Sequence, residues 1–365
     1  MKRFIALLLV LVLCLALFAG CKKEEEVIES ESESESSIPE PEPEPKPVVK
    51  ICNPLTGESG YDETKLNKRP FAIMINNIDA ALPQYGIGCA DIMFEIPVEG
   101  SITRMMAIYA DYTKVPDVCT IRSCRYYYPI FALGFDAIYS HWGLDKVYAG
   151  PVVNSLGVDR IDGGVYEGDF FQRDQARLDA GYAWEHTGYL EGEKLADVIE
   201  NRLEFRTEKK DGYETAFKFN DDENPQTLPG GECKAAVLDF SGSYFSTFTY
   251  DEAKKVYLKQ HSGDKHIDQS TGEQLAFTNV FALETDIGYK DDNYHRSVDW
   301  TGGTGYYISN GSYMEINWSK ADEYSPIIIT DKSGNEVTVN AGKSFIGVIN
   351  PGRTTINSDV SAVSD

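Results

Sequence analysis

Hydrophobic and polar positions divide the chain into three textures. After Lys2 and Arg3, residues 4–18 form an unbroken apolar run. It falls short of the roughly 20 residues that a spanning helix needs, and its positive start suits a cleaved export signal, residues 1–20. Residues 22–50 then hold almost nothing apolar: Glu alternates with Ser over 29–36, and Pro with Glu over 39–47. Such a stretch cannot offset the entropy of ordering, so 21–50 is expected to be a disordered spacer reaching on the order of 90 Å at about 3.1 Å per residue. From Ile51 onward the pattern is that of a folded protein.

Residues 71–75 are continuously apolar between Pro70 and Asn76-Asn77, as in a buried strand. Further strands are expected at 91–95, 105–110 and 137–140. Leu195, Ile199 and Leu203 lie four apart and predict a helix over 194–203; another is expected over 126–134, with Pro129 in its first turn. A polar connection, 206–232, leads to a region whose short runs are mainly β: 235–240, 245–250, 256–260, 278–283, 306–309, 312–316, 326–330, 337–339 and 345–349. Asn310-Gly311 is a strong hairpin signal. Gly302-Gly303-Thr304-Gly305 lacks the lysine and following helix of a phosphate loop and is expected to be a tight turn. The fold expected is α+β: a mixed α/β sandwich domain over 51–205, a mainly β domain over 233–350, and a flexible tail, 351–365.

Charge narrows the partners. The whole chain carries −24. Removing Lys2 and Arg3 leaves −26, of which ten Glu against four Lys in 22–50 account for −6, so the body holds −20. That balance argues against nucleic acid and against a basic membrane-binding face. Cys52, Cys89, Cys119, Cys124 and Cys233 are odd in number and show no metal-ligand spacing, so neither a disulfide framework nor a metal is expected, and no cofactor.

Phe18-Ala19-Gly20-Cys21 resembles the lipobox of bacterial lipoproteins, in which the cysteine is acylated and becomes the mature N-terminus. The resemblance implies lipidation at Cys21 and attachment to the extracytoplasmic face of the cell membrane. Several folded segments are richer in Arg, Glu, Gly and His than packing requires: 53–57, 95–104 (EIPVEGSITR), 121–125 (IRSCR), 140–143 (SHWG) and 171–174 (FQRD). With Asn279-Val280, Gly303-x-Gly305-Tyr306, Trp318-Ser319-Lys320 and Gly342-Lys343, their order resembles the YerB-like lipoproteins of Gram-positive bacteria. That family implies an N-terminal α+β sandwich, a β-rich C-terminal part and a lipid anchor, and no catalytic residues.

The residues with the most chemistry are Glu99, Arg104, Arg122, Ser123, Arg125, His141, Trp142, Arg173 and His186. Ser123 is placed to cap a helix, and two guanidinium groups beside a helix start would receive a carboxylate or phosphate in bidentate fashion. The competing reading is that the arginines pair with Glu95, Glu99 or Asp174 and brace the fold. Glu95 and Glu99 as an acid/base pair, and a serine with histidine, are weaker readings, since Pro97 intervenes and no G-x-S-x-G elbow exists. The leading expectation is a non-enzymatic envelope protein binding a wall component, an anionic small ligand or another envelope protein. A hydrolase or transferase of wall material and the binding protein of a transporter are the alternatives.

Overall fold

The computed structural model describes residues 50–357. The export signal, Cys21 and nearly all of the spacer lie outside the described residues. The apolar runs form the strands β1 (Phe71–Asn76), β2 (Ile92–Pro97), β3 (Thr103–Tyr109), β4 (Ile138–His141) and β5 (Arg160–Asp162) in the first region. In the second they form β6 (Ala235–Asp239), β7 (Phe245–Asp251), β8 (Val256–His261), β9 (Asn279–Glu284), β10 (Gly302–Ser309), β11 (Ser312–Ser319), β12 (Ile328–Thr330), β13 (Ser344–Ile349) and β14 (Thr354–Asn357).

Both regions build one ten-stranded sheet, in the order β12-β11-β10-β9-β13-β2-β3-β1-β4-β5. The join is a parallel pairing of β2 with β13, Ile92 opposite Ser344 through Glu95 opposite Gly347. These two strands are buried along their whole length, as central parallel strands are. Residues 51–205 and 233–350 are therefore two contributors to a single sheet. The connecting segment is stitched into the same body, with Ala216, Phe217 and Leu228 buried in the core.

Alternation along the strands gives the sheet two apolar faces. On the front, Met74, Phe94, Ile96 and Met106 pack under a short helix, Tyr127–Leu133, which has Pro129 in its first turn. On the back, Ile73, Ile75, Met93 and Met105 meet a second sheet that includes β8-β7-β6-β14. Phe248 of β7 lies 4.7 Å from Phe345 of β13 across that layer. The product is a mixed α+β sandwich.

Three expectations need correction. Gly302 to Gly305 are not a turn but the start of β10; a Cβ on Gly303 would sit 1.9 Å from the Glu284 carbonyl oxygen, so glycine is there for close strand approach. The tail is not wholly loose, because Thr354–Asn357 adds an edge strand to β6. Ser123 does not cap a helix: the helix begins four residues later, at Tyr127, with no side-chain cap. Asn310 and Gly311, at φ of 48° and 69°, do make the expected hairpin turn between β10 and β11. The predicted helix over 194–203 forms as Gly192–Asp197 running into a π-helical turn, Val198–Arg202. Among the described residues, Cys52, Cys89, Cys119, Cys124 and Cys233 form no disulfide with one another, and burial pushes the thiols of Cys119, Cys124 and Cys233 up to about 12. Among the described residues no helix is long and apolar enough to cross a membrane.

Candidate functional site

Strands β1, β4 and β5 run parallel to one another, and β2 runs parallel to β13. Ligand sites of open α/β sheets lie beyond such carboxyl ends. Here that end carries Asn76 of β1, His141 of β4, Asp162 of β5 and the first residues of antiparallel β3, Thr103 and Arg104. Residues 121–124 wedge between β1 and β4: Ile121 bridges Ile75, and the Trp142 amide donates to the Arg122 carbonyl.

On the front face this wedge gathers three guanidinium groups. Arg125 is held by Glu99, its Nε 2.7 and 2.8 Å from the carboxylate oxygens and its Nη2 at 2.6 Å. Burial alone would raise the Glu99 carboxyl, but the hydrogen bonds and charge of Arg125 outweigh it and hold the group below the ordinary carboxylate range. Arg104 is 7% exposed, and its Nη1 donates to the Ser123 carbonyl, the one hydrogen bond of its side chain among the described residues. Burial, with the charges of Arg125 and Arg122 beside it, pulls Arg104 down to about 10. Arg122, half-buried, reaches Glu185 at 3.3 Å; burial lowers it despite that carboxylate. His186 Nε2 lies 3.7 Å from the same Glu185 oxygen. Its Nδ1 meets the Asn76 side-chain amide at 3.0 Å, which makes Nδ1 the acceptor.

Beside this cluster Arg173 is sandwiched between two indoles, 4.0 Å from the Trp142 ring centre and 4.6 Å from that of Trp184. Its Nε donates to Glu167 at 2.7 Å and its Nη1 to the Trp184 carbonyl at 3.1 Å. Trp142 fits there because Gly188 leaves room: a Cβ at that position would lie 2.8 Å from the ring. His141 stands apart. It is fully buried, hydrogen-bonded through Nδ1 to the Gly143 carbonyl at 2.8 Å, with Nε2 lacking a hydrogen-bond partner among the described residues. Thus Glu99, Arg104, Arg122, Ser123, Arg125 and His186 form one connected group. Trp142 and Arg173 adjoin it through Trp184, and His141 lies beneath.

Sequence reasoning missed a second polar group, on the back of the same strand ends. Glu95, fully buried, accepts from Asn77 at 2.9 Å, Thr103 at 2.8 Å and Ser246 at 2.8 Å, and pairs with the equally buried Lys259 at 3.3 Å. Lys259 Nζ meets His266 Nδ1 at 3.0 Å, and His266 Nε2 meets the Gln84 side-chain oxygen at 2.9 Å. His266 is therefore neutral with its proton on Nε2; burial and the Lys259 charge hold it well below its ordinary range. His261 Nε2 meets Asp79 at 3.0 Å, where the group opens to a cavity of about 530 Å³ bounded by Leu82, Pro83 and Ile267. In β8, Tyr257, Lys259 and His261 occupy the inward positions of a period-two strand, a pattern that marks Lys259 as inward without showing which carboxylate it faces.

These features describe a mixed α+β protein whose two regions share one sheet and whose polar groups concentrate where that sheet's parallel strands end. The chain belongs to the DUF3048 family of proteins of unknown function: the family's N-terminal domain matches residues 55–208 and its C-terminal domain residues 236–346. It is 25% identical over 311 residues to a protein of Bacillus subtilis (strain 168) that bears the name lipoprotein YerB, covering 82% of this chain and 86% of that one. The crystal structure of the YerB protein from Bacillus subtilis superposes with a TM-score of 0.72, at 25% identity, over 85% of this chain and 100% of that one.

Proposed function

We propose that this is an extracytoplasmic protein, anchored to the cell membrane through a lipid on Cys21, that binds an anionic component of the cell envelope at Arg104 and Arg122 without carrying out chemistry on it. One observation carries the binding reading. Three guanidinium groups, those of Arg104, Arg122 and Arg125, share a ledge on which two carboxylates, Glu99 and Glu185, pair with them. A body of charge −20 concentrates uncompensated positive charge there, and Arg104 retains donors that a bidentate anion would take up. The anchor reading rests on the lipobox-like sequence before Cys21, the acidic spacer after it and the name of the Bacillus relative.

A charge-assisted contact contributes about 1.5–3 kcal/mol. Arg122→Ala is therefore expected to weaken a carboxylated or phosphorylated wall fragment roughly ten- to a hundredfold, and Arg122→Lys to restore only part of it. The test is a thermal-shift titration of wild type and both variants. A ligand at 100 times its Kd stabilises by about 2.7 kcal/mol. If no fragment stabilises the wild type and Arg122→Ala merely melts lower, the arginines brace the fold and the binding reading fails.

A further inference from the structure

We infer that Trp184 is a stacking platform for a sugar ring, and that the ligand of the arginine ledge is accordingly an acidic glycan whose pyranose lies on Trp184 while its anionic substituent reaches Arg122 and Arg104. The inference rests on the anion-binding reading above and adds the chemical class of the ligand.

Trp184 is 58% exposed, on a one-turn 3-10 helix, Trp184–His186. A single exposed aromatic ring needs no explanation in itself; what distinguishes this one is how it is held. One face of the indole lies against the Arg173 guanidinium, which lies in turn on Trp142, and Trp142 meets the buried Phe171 edge-on at 5.6 Å. Arg173 is fixed by Glu167 and by the Trp184 carbonyl, so the stack runs as a rigid column from core to solvent. A ring held this way loses little freedom when a ligand covers it, which is what makes a tryptophan an efficient contact.

The neighbours decide what would lie on it. The next residue in the chain, Glu185, is exposed and bonded to Arg122, so a planar carboxylate paired with a planar guanidinium directly follows the platform residue. Pyranoses present an apolar face of C–H bonds and a rim of adjacent hydroxyls. The face suits an indole, and the hydroxyls suit an acceptor and a donor of this planar kind. A neutral sugar would leave the surplus charge of the ledge unanswered, whereas a carboxylate on the sugar would answer it.

The experiment is a calorimetric titration of the intact folded chain with three probes. They are peptide-free glycan strands bearing one carboxylate per disaccharide, neutral chitooligosaccharides of equal length, and inorganic phosphate. The acidic strand should bind about tenfold or more tightly than the neutral one. Trp184→Ala should weaken it at least about tenfold, Trp184→Tyr should recover most of the loss, and both variants should leave phosphate binding unchanged. Because Trp184 is exposed, the alanine variant is expected to melt like the wild type. Undiminished binding of the acidic strand by Trp184→Ala overturns the platform. So does binding of phosphate, dependent on Arg122, with no binding of either glycan; in that case the anion reading stands alone. Equal binding of both glycans, untouched by Arg122→Ala, overturns the acidic preference and the anion reading with it.

Discussion

Replacing Lys259 by methionine removes one half of the ion pair that joins the two regions behind the site. Lys259 and Glu95 are both fully buried, and they come from different family segments. In the variant the Glu95 carboxylate keeps its bonds from Asn77, Thr103 and Ser246 but loses its counter-charge, while His266 Nδ1 loses its donor. Breaking a buried pair by removing one partner costs about 3–5 kcal/mol, against a total stability of about 5–15 kcal/mol for a typical protein. At roughly 2–3 °C per kcal/mol for a chain of this size, the melting temperature should fall by roughly 6–15 °C. Glu95→Gln should cost less, because burial already lowers the Lys259 ammonium and a lysine left alone can shed its proton. Urea unfolding of wild type, both single variants and the double variant gives the coupling directly. Single costs under about 1 kcal/mol, or a double variant whose cost is the plain sum of the singles, would refute the idea that this pair locks the sheets together.

Three further expectations follow from other parts of the molecule. Burial holds His261 and His266 below their ordinary range; the unfolded chain then binds more protons below pH about 6.5, so stability present above that pH is lost as the pH falls through it, by up to about 1.4 kcal/mol per pH unit for each histidine. Urea midpoints between pH 8 and 5 check this, and a flat profile would refute it. Gly303→Ala should destabilise by about 1–3 kcal/mol or more, since the added methyl meets the Glu284 carbonyl across the β9–β10 ladder; an unchanged melt would show that the strands can part at no cost. Cys21→Ala should abolish fatty-acid labelling of the expressed protein, and full labelling without that cysteine would remove the anchor from the proposal.

What the sequence made legible was local. Continuous apolar runs announced β1, β9 and β13, and Asn310-Gly311 announced its hairpin, because burial on both faces and a positive-φ turn leave direct marks on composition. Gly302 to Gly305 misled because a glycine needed for close strand approach looks in sequence like one needed for a turn. Ser123 misled for a related reason: its place in the wedge depends on β1 and β4 flanking it, which no local pattern records. The Glu95–Lys259 pair spans more than 160 positions and was invisible from either end. An inward lysine on β8 makes sense only once a carboxylate from another region is known to face it.

The two polar groups belong to one design because the sheet's pleat places them back to back. Asn76 and Asn77, adjacent in the chain, serve opposite faces: the first bonds His186 on the front, the second Glu95 on the back. Arg104 and Thr103 divide in the same way, the first on the arginine ledge and the second on Glu95. The strand ends that present the ledge are therefore the ones fixed from behind by the second region, through Ser246 and Lys259. A binding site needs its charged groups held in place before the ligand arrives, since ordering them afterwards would consume part of the contact energy. Under the proposed binding reading, the C-terminal region would contribute to recognition even though every residue of the ledge comes from the N-terminal one. Loosening the lock should weaken ligand binding at Arg122 without touching it.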